Sequence, residues 1–252
     1  MRDLPEDYIK DLAIRFSHHS TALEGNTLTL AETALLLLEG MTPNRRVHKR
    51  EIFEIESNAR ALNVVLQEVN EPNELTEFII KKIHYFIGES TVTFAGEYKK
   101  LDNYIVGADF QTVKASEVAA TMAEFVSDYN KALKETSHLF ETIADYHIRF
   151  EKIHPFSDGN GRTGRMLNAL VALKHDRLVP VIPSDEKGRY LQYLKDEDSK
   201  GLGEWLETLS EFEVERYDAF AYVASQEIKD FSQPLPKNRK KAIEFGDDEL
   251  EM

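Results

Sequence analysis

The sequence predicts an all-α fold with one β-hairpin. Three observations carry that expectation. Apolar residues recur at helical spacing along most of the 252 residues. The breaks between these runs are short and marked by glycine, proline or asparagine. The period changes once, between Gly96 and Gly107, where Tyr98-Lys99-Lys100-Leu101 and Tyr104-Ile105-Val106 flank Asp102-Asn103 as two hairpin arms flank a polar turn.

The first helix carries Tyr8, Ile9, Leu12 and Phe16 on one side, opens on Glu6 and Asp7, and ends near Glu24-Gly25-Asn26. Thr29 and Glu32 have the spacing of a capping box for a second helix, which Gly40 stops. Arg45, Arg46, Lys49 and Arg50 read as a solvated loop and helix start. Glu51 to Val69 is a long amphipathic helix with Ile52, Ile55, Ala59, Leu62, Val65, Leu66 and Val69 on one side, broken by Pro72. Thr76 to Ile87 is another, with Phe78, Ile79, Ile83 and Phe86 as its expected buried set. Helices then run from Ser116, from His138 to Ile153, from Gly161 to His175, from Arg189 to Glu197, and from Leu202 to about Phe231. The one from Gly161 is mostly apolar and is expected at the centre. The expected organisation is an N-terminal helical region (1–70), a core (75–212), a C-terminal helix (213–231) and a mobile tail (232–252).

Bulk properties narrow the function classes. The chain has no cysteine, which excludes thiolate chemistry and Cys-type zinc sites. Arg2-Asp3-Leu4-Pro5 is charged where a secretory leader would turn apolar, and the apolar run Ala34 to Leu38 is far short of the roughly 20 residues of a membrane span. A cytoplasmic protein with no membrane partner is expected. A net charge of -14 argues against nucleic acid as a partner, because phosphate backbones would be repelled. It leaves room for one local anion site.

Ile153 to Arg165, IHPFSDGNGRTGR, has the composition of such a site. Gly159-Asn160-Gly161 lies just before a strongly predicted helix. Glycines there let backbone N–H groups turn toward one point, and the helix N-terminus adds partial positive charge. Arg162 and Arg165, three residues apart, can both lean toward that point. Asp158 is a hard oxygen ligand of the kind that holds Mg2+ beside a nucleotide. His154 can be neutral at physiological pH and accept a proton. Alone, each residue reads as a cap, a turn or a solvated side chain; crowded into one window they point to phosphate chemistry. His147, His18 and His19 read as packing or surface residues.

His154-Pro155-Phe156-Ser157-Asp158-Gly159-Asn160-Gly161-Arg162-Thr163-Gly164-Arg165 resembles the signature of the Fic family, HPFx(D/E)GNGRxxR, at every signature position. Softer similarity extends over residues 75–212. The resemblance implies a mostly helical enzyme, a protein adenylyltransferase, that moves AMP from ATP onto a Ser, Thr or Tyr hydroxyl of a protein and releases pyrophosphate. It implies His154 as the base, Asp158 as the Mg2+ ligand, and Gly159, Asn160 and Gly161 as the anion hole. Arg162 and Arg165 would hold the β- and γ-phosphates. Tyr98, Lys99, Lys100, Leu101, Tyr104 and Ile105 would form the flap that docks the target, with Lys99 where relatives often have arginine. Tyr190, Leu191 and Leu194 fall where relatives line the adenine pocket.

Ser20-Thr21-Ala22-Leu23-Glu24-Gly25-Asn26 resembles that family's inhibitory motif, (S/T)xxxE(G/N). Ser20, Glu24 and Asn26 are its defining positions, and the resemblance implies that Glu24 reaches Arg165 and blocks the γ-phosphate's place. The target protein stays unassigned, with self-modification and homo-oligomer formation open. Two further readings remain: removal of AMP or transfer of another phosphate-linked group on the same fold, and a non-catalytic nucleotide-binding module.

Overall fold

The computed structural model describes residues 4–104 and 111–232, the stretch 226–232 as backbone only. Among them are nine α-helices: α1 (Glu6–Ala22), α2 (Leu30–Glu39), α3 (Lys49–Val69), α4 (Glu77–Gly88), α5 (Val118–Glu135), α6 (Leu139–Ile153), α7 (Asn160–Lys174), α8 (Lys187–Asp196) and α9 (Ser199–Ser232). A short 3-10 turn, Ser184–Glu186, leads into α8.

Helix α7 is the axis of the domain. Every residue from Arg162 to Leu173 is buried, so this helix has no solvent face. Helices α6, α3 and α4 pack around it, α9 covers the far side of α6, and α1 lies against α3, α9 and α7. The core is continuous from Tyr8 and Leu12 of α1, through Leu62 and Val65 of α3, to Leu202 and Leu206 of α9. A smaller cluster of Leu28, Leu36 and Ile55 sits under α2.

Local signals set the ends of these helices. Thr29 accepts a hydrogen bond from the Glu32 amide and donates its own amide to the Glu32 carboxylate, completing the capping box, and Gly40 closes α2 in the left-handed conformation (φ 66°). Helix α6 stops at His154 because Pro155 follows, and a residue before proline is pushed out of the α region. His154 takes φ 50° and ψ 59°, a left-handed conformation that costs a non-glycine residue about 1–2 kcal/mol.

Two expectations are corrected, and a third is not confirmed. Phe78 is 73% exposed. The buried face of α4 is Ile79, Ile80, Ile83, His84 and Ile87, and Phe78 sits about 100° around the helix from Ile79. The expected boundary at 212/213 falls inside α9, which is unbroken. The expected hairpin has no strand among the described residues; Tyr98–Leu101 lies in bends and irregular chain, and Ile105 and Val106 lie outside the described residues. An isolated two-stranded hairpin is barely stable in water, and here the backbone is tied to the domain instead. The Lys99 amide donates to the Pro155 carbonyl (2.9 Å), and Asn103 Nδ2 donates to the Phe156 carbonyl (2.8 Å). The tail from residue 233 also lies outside the described residues.

Candidate active site

The loop between α6 and α7 is held rigid by its own side chains. Phe156 is fully buried and stacks on His84 of α4, ring centroids 3.6 Å apart and nearly parallel. The Asn160 carboxamide clamps the loop from both sides: Oδ1 accepts from the Phe156 amide and Nδ2 donates to the Phe156 carbonyl, both at 2.9 Å. His84 braces the next turn. Its Nδ1 accepts from the Gly96 amide, so the proton is on Nε2, which donates to the Asp158 carbonyl (2.9 Å). Burial, ahead of the charge of Arg162, keeps this ring neutral by lowering its pKa to about 4. Gly159 (φ 80°) then turns the chain into α7, whose first-turn amides have no acceptor within the helix. Asn160 is therefore a structural clamp at the mouth of the anion cradle, with its side chain turned back into the loop.

Arg162 is 2% exposed, and its Nε and Nη1 have no hydrogen-bond partner. Its nearest carboxylates are Asp158 Oδ1 at 3.7 Å and Glu54 Oε1 at 3.8 Å, beyond hydrogen-bond reach. A buried, ionised donor left in that state is costly, and an anion at the α7 N-terminus would satisfy it. Asp158 Oδ1 accepts from the Gly159 amide, and Oδ2 pairs with Arg50 Nη2 of α3. Burial works to raise the Asp158 carboxyl; Arg162 first, then Arg50 and the Gly159 amide, outweigh it and hold the group below the usual carboxylate range. Arg50 is exposed, as the solvated reading of this run expects, but pairs with Asp158 and Glu54, and Arg45 pairs at the surface with Glu32.

His154 sits beside this cradle. Its Nδ1 lies 3.3 Å from the Glu151 carbonyl, a contact that places the proton on Nδ1 and the lone pair on Nε2. Burial lowers its pKa to about 4, helped by Lys99 and opposed by the Glu151 contact, Glu24 and Asp158. The ring is neutral and able to accept a proton. Burial, then the charge of Glu24, pushes the Glu151 carboxyl up to about 8, against Arg165, so this neighbour adds no negative charge at pH 7.

The end of α1 closes the other side. Arg165 is 4% exposed, and its Nε donates to Ser20 Oγ (3.0 Å) while Nη2 donates to the Ser20 carbonyl and to Glu24 Oε1, both at 2.7 Å. The Glu24 carboxylate lies directly over Gly161; a Cβ added there would run into Glu24 Oε1 and stand 3.0 Å from Arg165 Nη1. Burial alone would raise the Glu24 carboxyl, but the charge and hydrogen bond of Arg165 prevail and keep it below the usual range. Asn26 does not touch Arg165. Its Nδ2 donates to the Glu51 carbonyl (2.9 Å) and Glu54 Oε2 (3.2 Å), fastening the turn after α1 to α3.

The residues expected at an adenine pocket are not brought together. Tyr190 points inward: its hydroxyl is 3.4 Å from Arg165 Nη1 and 2.6 Å from His147 Nε2, with the ring 3% exposed. Leu191 is 48% exposed and Leu194 packs against the core. Tyr190 therefore positions Arg165 from behind. Tyr190→Phe should lower stability by about 1–3 kcal/mol in denaturant unfolding, because it strips a partner from two buried groups. A residue that served only to stack on a base would tolerate that change.

Of the expected docking residues, two are engaged inward. Tyr98 donates from its hydroxyl to Glu77 Oε2 (2.8 Å). Lys99 is buried, with Nζ donating to Asn103 Oδ1 (2.6 Å), Thr112 Oγ1 (3.2 Å) and the Ile153 carbonyl (3.4 Å). Lys100 pairs with Glu97 at 2.8 Å, and Leu101 and Tyr104 are 83% and 80% exposed. Ile105 lies outside the described residues.

Sequence reasoning missed His84, Arg50, Glu54 and Glu151. His84 and Glu54 lie on helices whose period marks only a buried face, and nothing local to either residue links it to the distant glycine loop.

Fold and site together define a helical domain in which a glycine turn, two buried arginines and a neutral histidine meet at the start of α7. Residues 74–172 match the model of the Fic/DOC family. Protein adenylyltransferase Fic from Aedes aegypti is 25% identical over 230 residues, which cover 90% of this chain and 44% of that protein. Protein adenylyltransferase fic-1 from Caenorhabditis elegans is 25% identical over 218 residues, covering 84% and 42%. The chain spans under half the length of these relatives. The crystal structure of a Fic domain containing signalling protein from Bacteroides thetaiotaomicron is similar with a TM-score of 0.70 at 26% identity, over 87% of each chain. No described helix is long and apolar enough to cross a membrane.

Proposed function

We propose that the chain is a protein adenylyltransferase that transfers AMP from ATP to a protein hydroxyl, releases pyrophosphate, and is held off by Glu24. The observation that carries this reading is Arg162: a fully buried guanidinium with two unpartnered donors beside a glycine-lined helix N-terminus. Such a site selects an anion with several oxygens. The phosphates of ATP would lie along the start of α7, with Arg162 on one side of the chain of phosphates and Arg165, once freed of Glu24, on the other.

In the transfer step, His154 Nε2 takes the proton of the incoming hydroxyl. The hydroxyl oxygen bonds to the α-phosphorus, and the bond to the bridging oxygen breaks with its electrons leaving on pyrophosphate. Catalysis of this kind needs position and charge stabilisation. The residues present fit Mg2+ only in company with a nucleotide. Asp158 offers one half-exposed carboxylate, and no group of three potential ligand side chains occurs among the described residues. When bound there, Mg2+ would draw negative charge from the phosphates. Leu101 and Tyr104, exposed beside the histidine's loop, would meet the target segment.

Mass spectrometry after incubation with MgATP tests the reading. The Glu24→Gly protein is expected to gain an AMP adduct on itself or on an added protein target, and the Glu24→Gly/His154→Ala protein is not. Tight ATP binding with no adduct on any protein would favour a nucleotide-binding module instead.

A further inference from the structure

Two arginines and two carboxylates form a closed, alternating ring at the edge of the site. Arg50 Nε donates to Glu54 Oε1 (2.9 Å), and Arg50 Nη2 pairs with Asp158 Oδ2. Arg162 lies 3.7 Å from Asp158 Oδ1 and 3.8 Å from Glu54 Oε1, which closes the ring. The four charges cancel. Asp158 has only two oxygens, and Oδ1 is already engaged by the Gly159 amide. Oδ2 is thus the oxygen best placed for a hard cation, and Arg50 is on it.

We infer that Arg50 is a positioning residue that competes with the divalent cation for Asp158 Oδ2. The inference rests on the Mg2+ role proposed above for Asp158. A doubly charged ion and a guanidinium cannot share one carboxylate oxygen without strong repulsion, so metal loading requires Arg50 to let go. Glu54 makes the release cheap. It keeps its own bond to Arg50, so the guanidinium turns away from Asp158 without losing its only counter-ion. Glu54 is itself fixed, with Oε2 accepting from Asn26 Nδ2 in the turn that follows α1. Arg50 thereby sets how much free cation the site requires, and before metal arrives it keeps Asp158 ionised and aimed.

The side chains of Arg50 and Asp158 are 55% and 46% exposed, so the pair is a weak competitor and its removal should not disturb the fold. The test is a Mn2+ titration, read by the EPR signal of free Mn2+, in the presence of a non-hydrolysable ATP analogue and in the Glu24→Gly background. Arg50→Gln should tighten Mn2+ binding by about two- to fivefold, the range of an exposed ion pair. Arg50→Lys should fall between, because it keeps charge but loses the fork that bridges two carboxylates. Binding of the analogue in EDTA should be unchanged. Weaker binding in EDTA would make Arg50 a phosphate ligand and overturn the inference. So would equal Mn2+ affinities, or a tightening that persists when Asp158→Asn is added. If Asp158→Asn alone leaves Mn2+ affinity unchanged, the metal role of Asp158 fails first and the inference falls with it. If the Glu24→Gly protein binds no analogue at all, it is the functional reading that has failed.

Discussion

Replacing Glu24 with glycine is expected to raise ATP-dependent AMP labelling by about tenfold or more. On the proposed reading the carboxylate competes with a phosphate oxygen for the same donor, Arg165 Nη2, and it lies over Gly161 in the first turn of α7. A hydrogen bond to a charged group contributes about 1.5–3 kcal/mol when buried. The Glu24 side chain is 42% exposed, so the low end applies, and 1.4 kcal/mol is already about tenfold. Glycine is the informative replacement because the position opens a turn whose next residue, Gly25, already has φ 100°. The assay compares radiolabel or adduct mass per unit time in the two proteins. Equal labelling would mean that Glu24 does not obstruct the productive pose.

Replacing His154 with alanine is expected to cut transfer by about 10²–10⁴, the usual contribution of a positioned base. Retained transfer would take His154 out of the mechanism. A pH series adds a check that an exposed histidine base would not satisfy. Because burial lowers the pKa of His154 to about 4, the proton-accepting form is present above that value and is lost as pH falls through it. Transfer should therefore be nearly flat from about pH 6 to 8. An exposed histidine would lose half its base form near ~6.5 and show an acid limb there.

What the sequence disclosed depended on how far apart the cooperating residues lie. Gly159 to Arg165 is contiguous, and an apolar helical run starting on glycines is a local signal, so the glycine turn into α7 and its central burial were both legible. Glu24 and Arg165 are 141 residues apart, and their meeting was expected only through the family resemblance. The hydroxyl partners of Tyr190 were not legible, because helical spacing says that a ring faces inward without saying which partner its hydroxyl finds. Arg50 was hidden in a basic run that looks solvated, since charge clusters carry no periodicity that reports on a distant aspartate. The hairpin is not confirmed among the described residues, and alternation in Tyr98–Leu101 does not register that Lys99 is drawn under the loop, where burial lowers its pKa and three oxygens receive its ammonium.

The two bonds from Arg165 to Ser20 have a consequence for how the site is governed. Ser20 supplies both a hydroxyl and a carbonyl oxygen to a guanidinium with almost no solvent access. The last turn of α1 is thus masonry of the site, and cutting it away would leave a buried cation with little beyond the Tyr190 hydroxyl to accept from it. Glu24 alone reaches into water. Clearing the site accordingly asks for one side chain to rotate, a movement of picoseconds to nanoseconds for an exposed residue, while a departing helix would need microseconds or longer. If Glu24 inhibits as proposed, control resides in the population of a rotamer, and whatever shifts that population sets the rate.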